Sequence, residues 1–155
     1  MTYGDDFIGS LKKEYHDRFN FEVYRDFLAR HSMKITLPDK GTSSCAFMNV
    51  EDVDFLKRKS NYIPQISRNI GKLDENSIFK SLHCNLKSKS ASPVEVAASC
   101  VESAMHEWFA FGKDHYEKRR EEMKEVCERA NIPLSVLDIS FEERVEHWKE
   151  KYLQR

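Results

Sequence analysis

The 155 residues are 40% hydrophobic and 33% charged, the proportions of one globular unit or of part of a larger one. The formal net charge of -1 excludes a global basic field, so any contact with nucleic acid has to come from local patches. No apolar run is long enough to cross a bilayer, the start is not a signal peptide, and Cys45, Cys84, Cys100 and Cys127 are widely spaced without a CxxC pair. That spacing points to free thiols in a reducing compartment rather than to disulfides or a zinc site.

The chain begins with its most informative run, Tyr3-Gly4-Asp5-Asp6. Glycine at the first central position of a two-residue hairpin loop accepts the positive φ of a type II′ turn, which puts Asp5 at the tip and Asp6 at the start of the outgoing strand. Two carboxylates held at a rigid tip are hard-oxygen ligands suited to Mg²⁺, and the plain reading beside this is a surface acidic turn. Residues 7–11 read as a short strand. Asn20 caps a predicted helix with Phe21, Tyr24, Phe27, Leu28 and His31 at helical spacing, and residues 33–37 alternate as a half-buried strand does before the turn Pro38-Asp39-Lys40-Gly41.

Residues 53–58 suggest a strand ending in the basic pair Lys57-Arg58, and residues 61–64 a return strand that Pro64 confines to an edge. Beyond that the pattern is helical. Asp74 caps a helix with Ile78, Phe79 and Leu82. Ser92-Pro93-x-Glu95 combines an N-cap, a proline at the first helical position and a capping-box glutamate. Gly112 interrupts, residues 116–130 form a charged helix with Met123, Val126 and Cys127 on its buried side, and Asn131-Ile132-Pro133 stops it. Ser140-x-x-Glu143 opens a last helix carrying Val145, Trp148 and Tyr152. The fold class is therefore α+β, with a small strand-bearing portion over residues 1–66 and a mainly α-helical portion over 67–155.

Tyr3-Gly4-Asp5-Asp6 resembles the metal-binding motif C of viral RNA-directed RNA polymerases. Lys40, in Leu37-Pro38-Asp39-Lys40, sits where those enzymes carry the lysine of motif D, and Phe55-Leu56-Lys57-Arg58 matches their motif E. Residues 78–82 and the pattern Ser99-Cys100, Ala104, Glu107, Tyr116 look like a thumb. The order is similar to that of polymerases of picornavirus-like viruses, over nearly the whole chain and more weakly past Ala130. The resemblance implies an incomplete palm (hairpin, helix, strand) over 1–66 and a helical thumb over 67–155, the C-terminal fragment of a polymerase without its fingers or motifs A and B.

The resemblance further implies Asp5 as principal metal ligand, Asp6 as supporting ligand, and Mg²⁺ as the ion, with Mn²⁺ as the alternative. It implies Lys40 as general acid toward departing pyrophosphate, and Lys57 and Arg58 as contacts to RNA or nucleoside triphosphate. Residue by residue, a solvated turn lysine and an ordinary exposed basic pair are the plain alternatives. Implied partners are RNA template and primer, nucleoside triphosphates, the missing N-terminal part of the polymerase and a protein primer, in a replication complex in the host cytoplasm. Lys87, Lys89, Lys118, Arg119 and Arg120 either line a thumb surface facing duplex RNA or form a solvated helix face. Two other readings stand beside this one: a non-catalytic helical module that binds RNA or protein, and a reverse transcriptase, which Gly4 and the Phe-Leu-Lys-Arg run disfavour.

Overall fold

The computed structural model describes residues 2–37, 45–84 and 87–153. The chain divides into two compact units, 1–59 and 60–155. Its elements are β1 (Thr2–Tyr3), β2 (Asp6–Phe7), α1 (Phe21–Arg30), β3 (Arg58–Ile63), β4 (Arg68–Leu73), α2 (Glu75–Leu82), α3 (Pro93–Trp108), α4 (Lys113–Arg129) and α5 (Phe141–Leu153). This is an α+β chain, with two small antiparallel hairpins and five helices among the described residues.

In the first unit, β1 and β2 form the expected two-residue hairpin, with Tyr3 opposite Asp6 and Thr2 opposite Phe7. Gly4 holds φ at +58° and Asp5 does not share a positive φ, as a type II′ turn requires. Asn20 caps α1 by accepting the amide of Val23 at 3.0 Å. Tyr24 on α1 meets Phe7 edge-on with ring centroids 6.3 Å apart, and His16 stacks on Phe47 at 4.1 Å.

Two strand expectations in this unit fail. Pairing beyond β2 stops at Phe7, so residues 8–11 are not a strand, and residues 33–37 are not one either. Alternation gives a segment the right faces, but a strand also needs a neighbour to bond, and none is found for these among the described residues. The consequence shows in the packing: no described residue of 2–59 is buried, while Tyr3, Phe7, Phe27, Met33 and Val50 are exposed.

The second unit has the core. Trp108, Tyr116, Phe141, Ile63, Ile78 and Met105 are completely enclosed. Both capping boxes form: Ser92 Oγ accepts the Glu95 amide while Glu95 accepts the Ser92 amide, and Ser140 and Glu143 do the same. Asp74 caps α2 through the Ser77 amide. The charged helix starts three residues earlier than the periodicity predicts, because Gly112, at φ +93°, turns the chain straight into Lys113. Cys127 is buried as expected, but Val126 is half-exposed and not on the buried side. All four cysteines are free thiols.

Electrostatics ties the helices together. Glu75 on α2 accepts Arg119 Nε at 3.0 Å and His115 Nε2 lies 2.7 Å away, while Arg119 Nη1 donates to Glu122 at 2.6 Å. Despite the cost of burial, the bonds from Arg119 and His115 hold Glu75 below its ordinary carboxylate range.

At the contact of α3 with α5, the ring of His106 stands 3.0 Å from Nη1 of buried Arg144. Desolvation first, then the charge of Arg144, pushes His106 below the ordinary histidine range; Lys151 adds to this, and Glu102 and Glu107 oppose it. A histidine that resists protonation when folded but not when unfolded contributes stability that is complete above about pH 6.5 and is lost as pH falls toward its folded value. The thermal midpoint should therefore drop between pH 7 and pH 5, before the glutamates titrate. His106→Gln should flatten that part of the curve, and an unchanged slope would rule out the His106–Arg144 contact as its source.

Candidate functional site

The type II′ turn fixes Asp5 at its tip and Asp6 one residue on, and both line one open cavity of about 680 Å³. Residues 35–37, Cys45 and Met48 form part of its wall, and the segment 52–59 closes it with Asp52, Asp54, Phe55, Leu56, Lys57 and Lys59. All these residues belong to the first unit. The cavity thus joins two stretches separated by some fifty positions in sequence.

The segment that carries Lys57 has an unexpected backbone. Residues 53–58 are not a strand running into a basic pair; Phe55-Leu56-Lys57-Arg58 is a tight reversal, and the strand begins at Arg58. Phe55 N–H bonds to the Arg58 carbonyl at 3.0 Å and Arg58 N–H to the Phe55 carbonyl at 3.1 Å, bracketing two residues with φ of 56° and 59°. Positive φ at both central positions is the requirement of a type I′ turn, which favours Asn-Gly. Here leucine and lysine occupy them, at a cost on the order of 1–2 kcal/mol each. The predicted return strand is displaced in the same way: Pro64 lies in a 3₁₀ turn after β3, and the partner strand is β4.

Leu56→Asn should stabilise the chain by about 0.5–1 kcal/mol, since asparagine tolerates the left-handed region at less cost. Chemical denaturation reads this directly, and a loss of stability would mean that the leucine side chain contributes more than its backbone costs.

Of the residues singled out in the sequence, Asp5, Asp6 and Lys57 come together at this cavity. Arg58 is half-buried and is not among the described lining residues. Lys40 lies outside the described residues. Sequence reading missed Asp52, Asp54 and Lys59, which also face the cavity. The sequence carries a signal for Lys59, a third basic residue directly after Lys57 and Arg58.

Asp5 and Asp6 offer hard oxygen donors, the right class for Mg²⁺. Among the described residues no group of three or more His, Cys, Asp or Glu side chains could hold a metal ion. Asp5 and Asp6 by themselves do not make up such a group. Of the basic residues read as a thumb surface, Arg119 is committed to Glu75 and Glu122, and Arg120 to Glu117 and Glu121.

The fold class and the carboxylate–lysine cavity describe a chain whose homologues are polyproteins of picornavirus-like viruses. It is 29% identical over 152 residues to the genome polyprotein of rice tungro spherical virus (strain Vt6), covering 96% of this chain and 4% of that polyprotein. The replicase polyprotein of Drosophila C virus is 28% identical over 120 residues, 77% of this chain and 7% of that polyprotein. The replicase polyprotein of cricket paralysis virus is 21% identical over 133 residues, 86% of this chain and 7% of that polyprotein. No family model and no solved structure matches the chain. Among the described residues no helix is long and apolar enough to cross a membrane.

Proposed function

We propose that this chain is a region of a viral replication polyprotein, the C-terminal palm and thumb of an RNA-directed RNA polymerase. The observation that carries the reading is the convergence of Asp5, Asp6 and Lys57, from two separate motifs, on one cavity. The homologous viral replicase polyproteins support it from a different direction.

In this reading Asp5 is the principal ligand of Mg²⁺ and Asp6 the supporting one. Two bound divalent cations would divide the work, one lowering the pKa of the attacking 3′-hydroxyl and the other stabilising the departing pyrophosphate. The two carboxylates need a further aspartate from the preceding part of the polymerase, which accords with the lack of a complete ligand group among the described residues. That same preceding part, the fingers and the rest of the palm, covers the apolar side chains that the first unit leaves exposed. Lys57 contacts phosphates of RNA or nucleoside triphosphate from the cavity wall, and Lys40 protonates pyrophosphate as it leaves. RNA template, primer, triphosphates and a protein primer are the partners, and the replication complex in the host cytoplasm is the setting.

Lys40→Leu in the joined polymerase should slow single-turnover incorporation while sparing RNA affinity; loss of RNA affinity instead would remove the general-acid role. The reading as a whole is tested by template-directed nucleotide incorporation with Mg²⁺. The chain joined to the polyprotein sequence that precedes it should incorporate nucleotide, and the 155-residue chain alone should not. RNA binding without incorporation by the joined chain would favour the non-catalytic module instead.

A further inference from the structure

We infer that Lys59 is a second phosphate-binding lysine of the Asp5–Asp6 cavity, acting with Lys57, and that Arg58 between them makes its contacts outside that cavity. The inference rests on the polymerase reading for the identity of the ligand, but its geometry stands apart from that reading.

Three observations carry it. First, Lys57 and Lys59 both line the cavity, and Arg58 is not among its described lining residues. Arg58 is half-buried whereas both lysines are exposed, as expected when Arg58 opens β3 and the next residue along a strand turns to the opposite face. Second, the reversal that sets these directions is held by two non-glycine residues at positive φ, Leu56 and Lys57. Backbone strain of this kind concentrates at sites that need a side chain aimed, and here the side chain on the strained residue is one of the two lysines.

Third, the described lining is rich in carboxylates, which favours more than one cation beside a bound phosphate. Asp5, Asp6, Asp52 and Asp54 also line it, so one lysine would leave a phosphate facing four carboxylates. Even with Lys57 and Lys59 the described lining stays net negative, which makes phosphate binding conditional on a divalent cation at the carboxylates. The cavity therefore takes a phosphate group and a divalent cation together and neither lysine acts as a lone counter-ion. The chemistry is shared by two sources, the polyphosphate of a nucleoside triphosphate and the phosphodiester near an RNA 3′ end.

The test titrates the chain joined to the polyprotein sequence that precedes it, which supplies the remaining metal ligand in this reading, with inorganic tripolyphosphate and, separately, with a short single-stranded RNA, each with and without Mg²⁺. Binding should need Mg²⁺. Lys59→Gln should weaken it about tenfold, the loss of one charge-assisted bond, while Lys59→Arg restores it and Arg58→Gln leaves it within twofold. Weakening of tripolyphosphate binding would assign the triphosphate as the source, and weakening of RNA binding alone would assign the strand end. Equal loss in Arg58→Gln and Lys59→Gln would overturn the inference, as would binding that ignores Mg²⁺ or no binding of either probe. All three side chains lie at the edge of a turn and outside the core, so circular dichroism of the variants should match the parent. If the joined chain fails to incorporate nucleotide while Lys59→Gln still weakens Mg²⁺-dependent binding, the polymerase reading falls and the phosphate site stands.

Discussion

Asparagine in place of Asp5, in the chain joined to its preceding polyprotein sequence, is expected to lower the rate of nucleotide incorporation roughly a thousandfold, about 4 kcal/mol of barrier. The amide keeps the size of the carboxylate and most of the turn, because Asp5 sits at the exposed tip where no core contact is lost. What it removes is a negative oxygen donor, so the effect should appear in the chemical step and leave RNA affinity nearly unchanged. Asp6→Asn should cost less, since Asp6 is the supporting ligand in this reading. Asp52→Asn, on the same cavity wall but outside the proposed ligand pair, should cost least. Incorporation by Asp5→Asn at the parental rate would remove the metal assignment.

The parts of this chain that were legible in the sequence are those decided locally. Gly4 before Asp5 is enough to specify the first hairpin, and the two Ser-x-x-Glu boxes and Asn20 are enough to place helix starts, because each of those features satisfies its own backbone groups within four residues. The stop at Asn131 was legible for the same reason: a left-handed residue, here at φ 57°, before Ile132-Pro133 leaves the helix no continuation.

What was not legible depends on partners at a distance. Residues 33–37 have the alternation of a strand, but whether they pair is decided by a neighbour that alternation does not reveal. The reversal at Leu56–Lys57 was misread as strand because both residues avoid the left-handed region; only the bonds between Phe55 and Arg58 show that they are forced into it. The reversal also puts Lys57 and Lys59, and not Arg58, on the described cavity lining, a placement that a strand over 53–58 would not give. Likewise the charges of Arg119 and Arg120 are visible in the sequence but their carboxylate partners are not: Arg119 reaches Glu75 on α2, while Arg120 pairs with Glu117 and Glu121 of its own helix.

Those ties meet at Trp108, whose truncation should have the largest effect on stability. Trp108 is fully enclosed, meets Phe79 edge-on with centroids 5.9 Å apart, and lies with Phe79 beneath the guanidinium of Arg119, which stands 4.9 Å from one ring and 5.8 Å from the other. α2, α3 and α4 thus share one aromatic–cation stack, and Trp108→Ala opens a cavity in its middle. The expected loss is about 3–5 kcal/mol, a large share of the roughly 5–15 kcal/mol that stabilises a typical domain. The indole Nε1 has no hydrogen-bond partner among the described residues, so Trp108→Phe removes a buried donor that is already unsatisfied and keeps most of the apolar contact. It should cost less than about 2 kcal/mol. Urea denaturation followed by far-ultraviolet circular dichroism separates the two variants, because the signal comes from the helices that the stack joins. Equal losses in both would mean that the indole nitrogen is bonded in solution and that the aromatic contact is the smaller part of what Trp108 contributes.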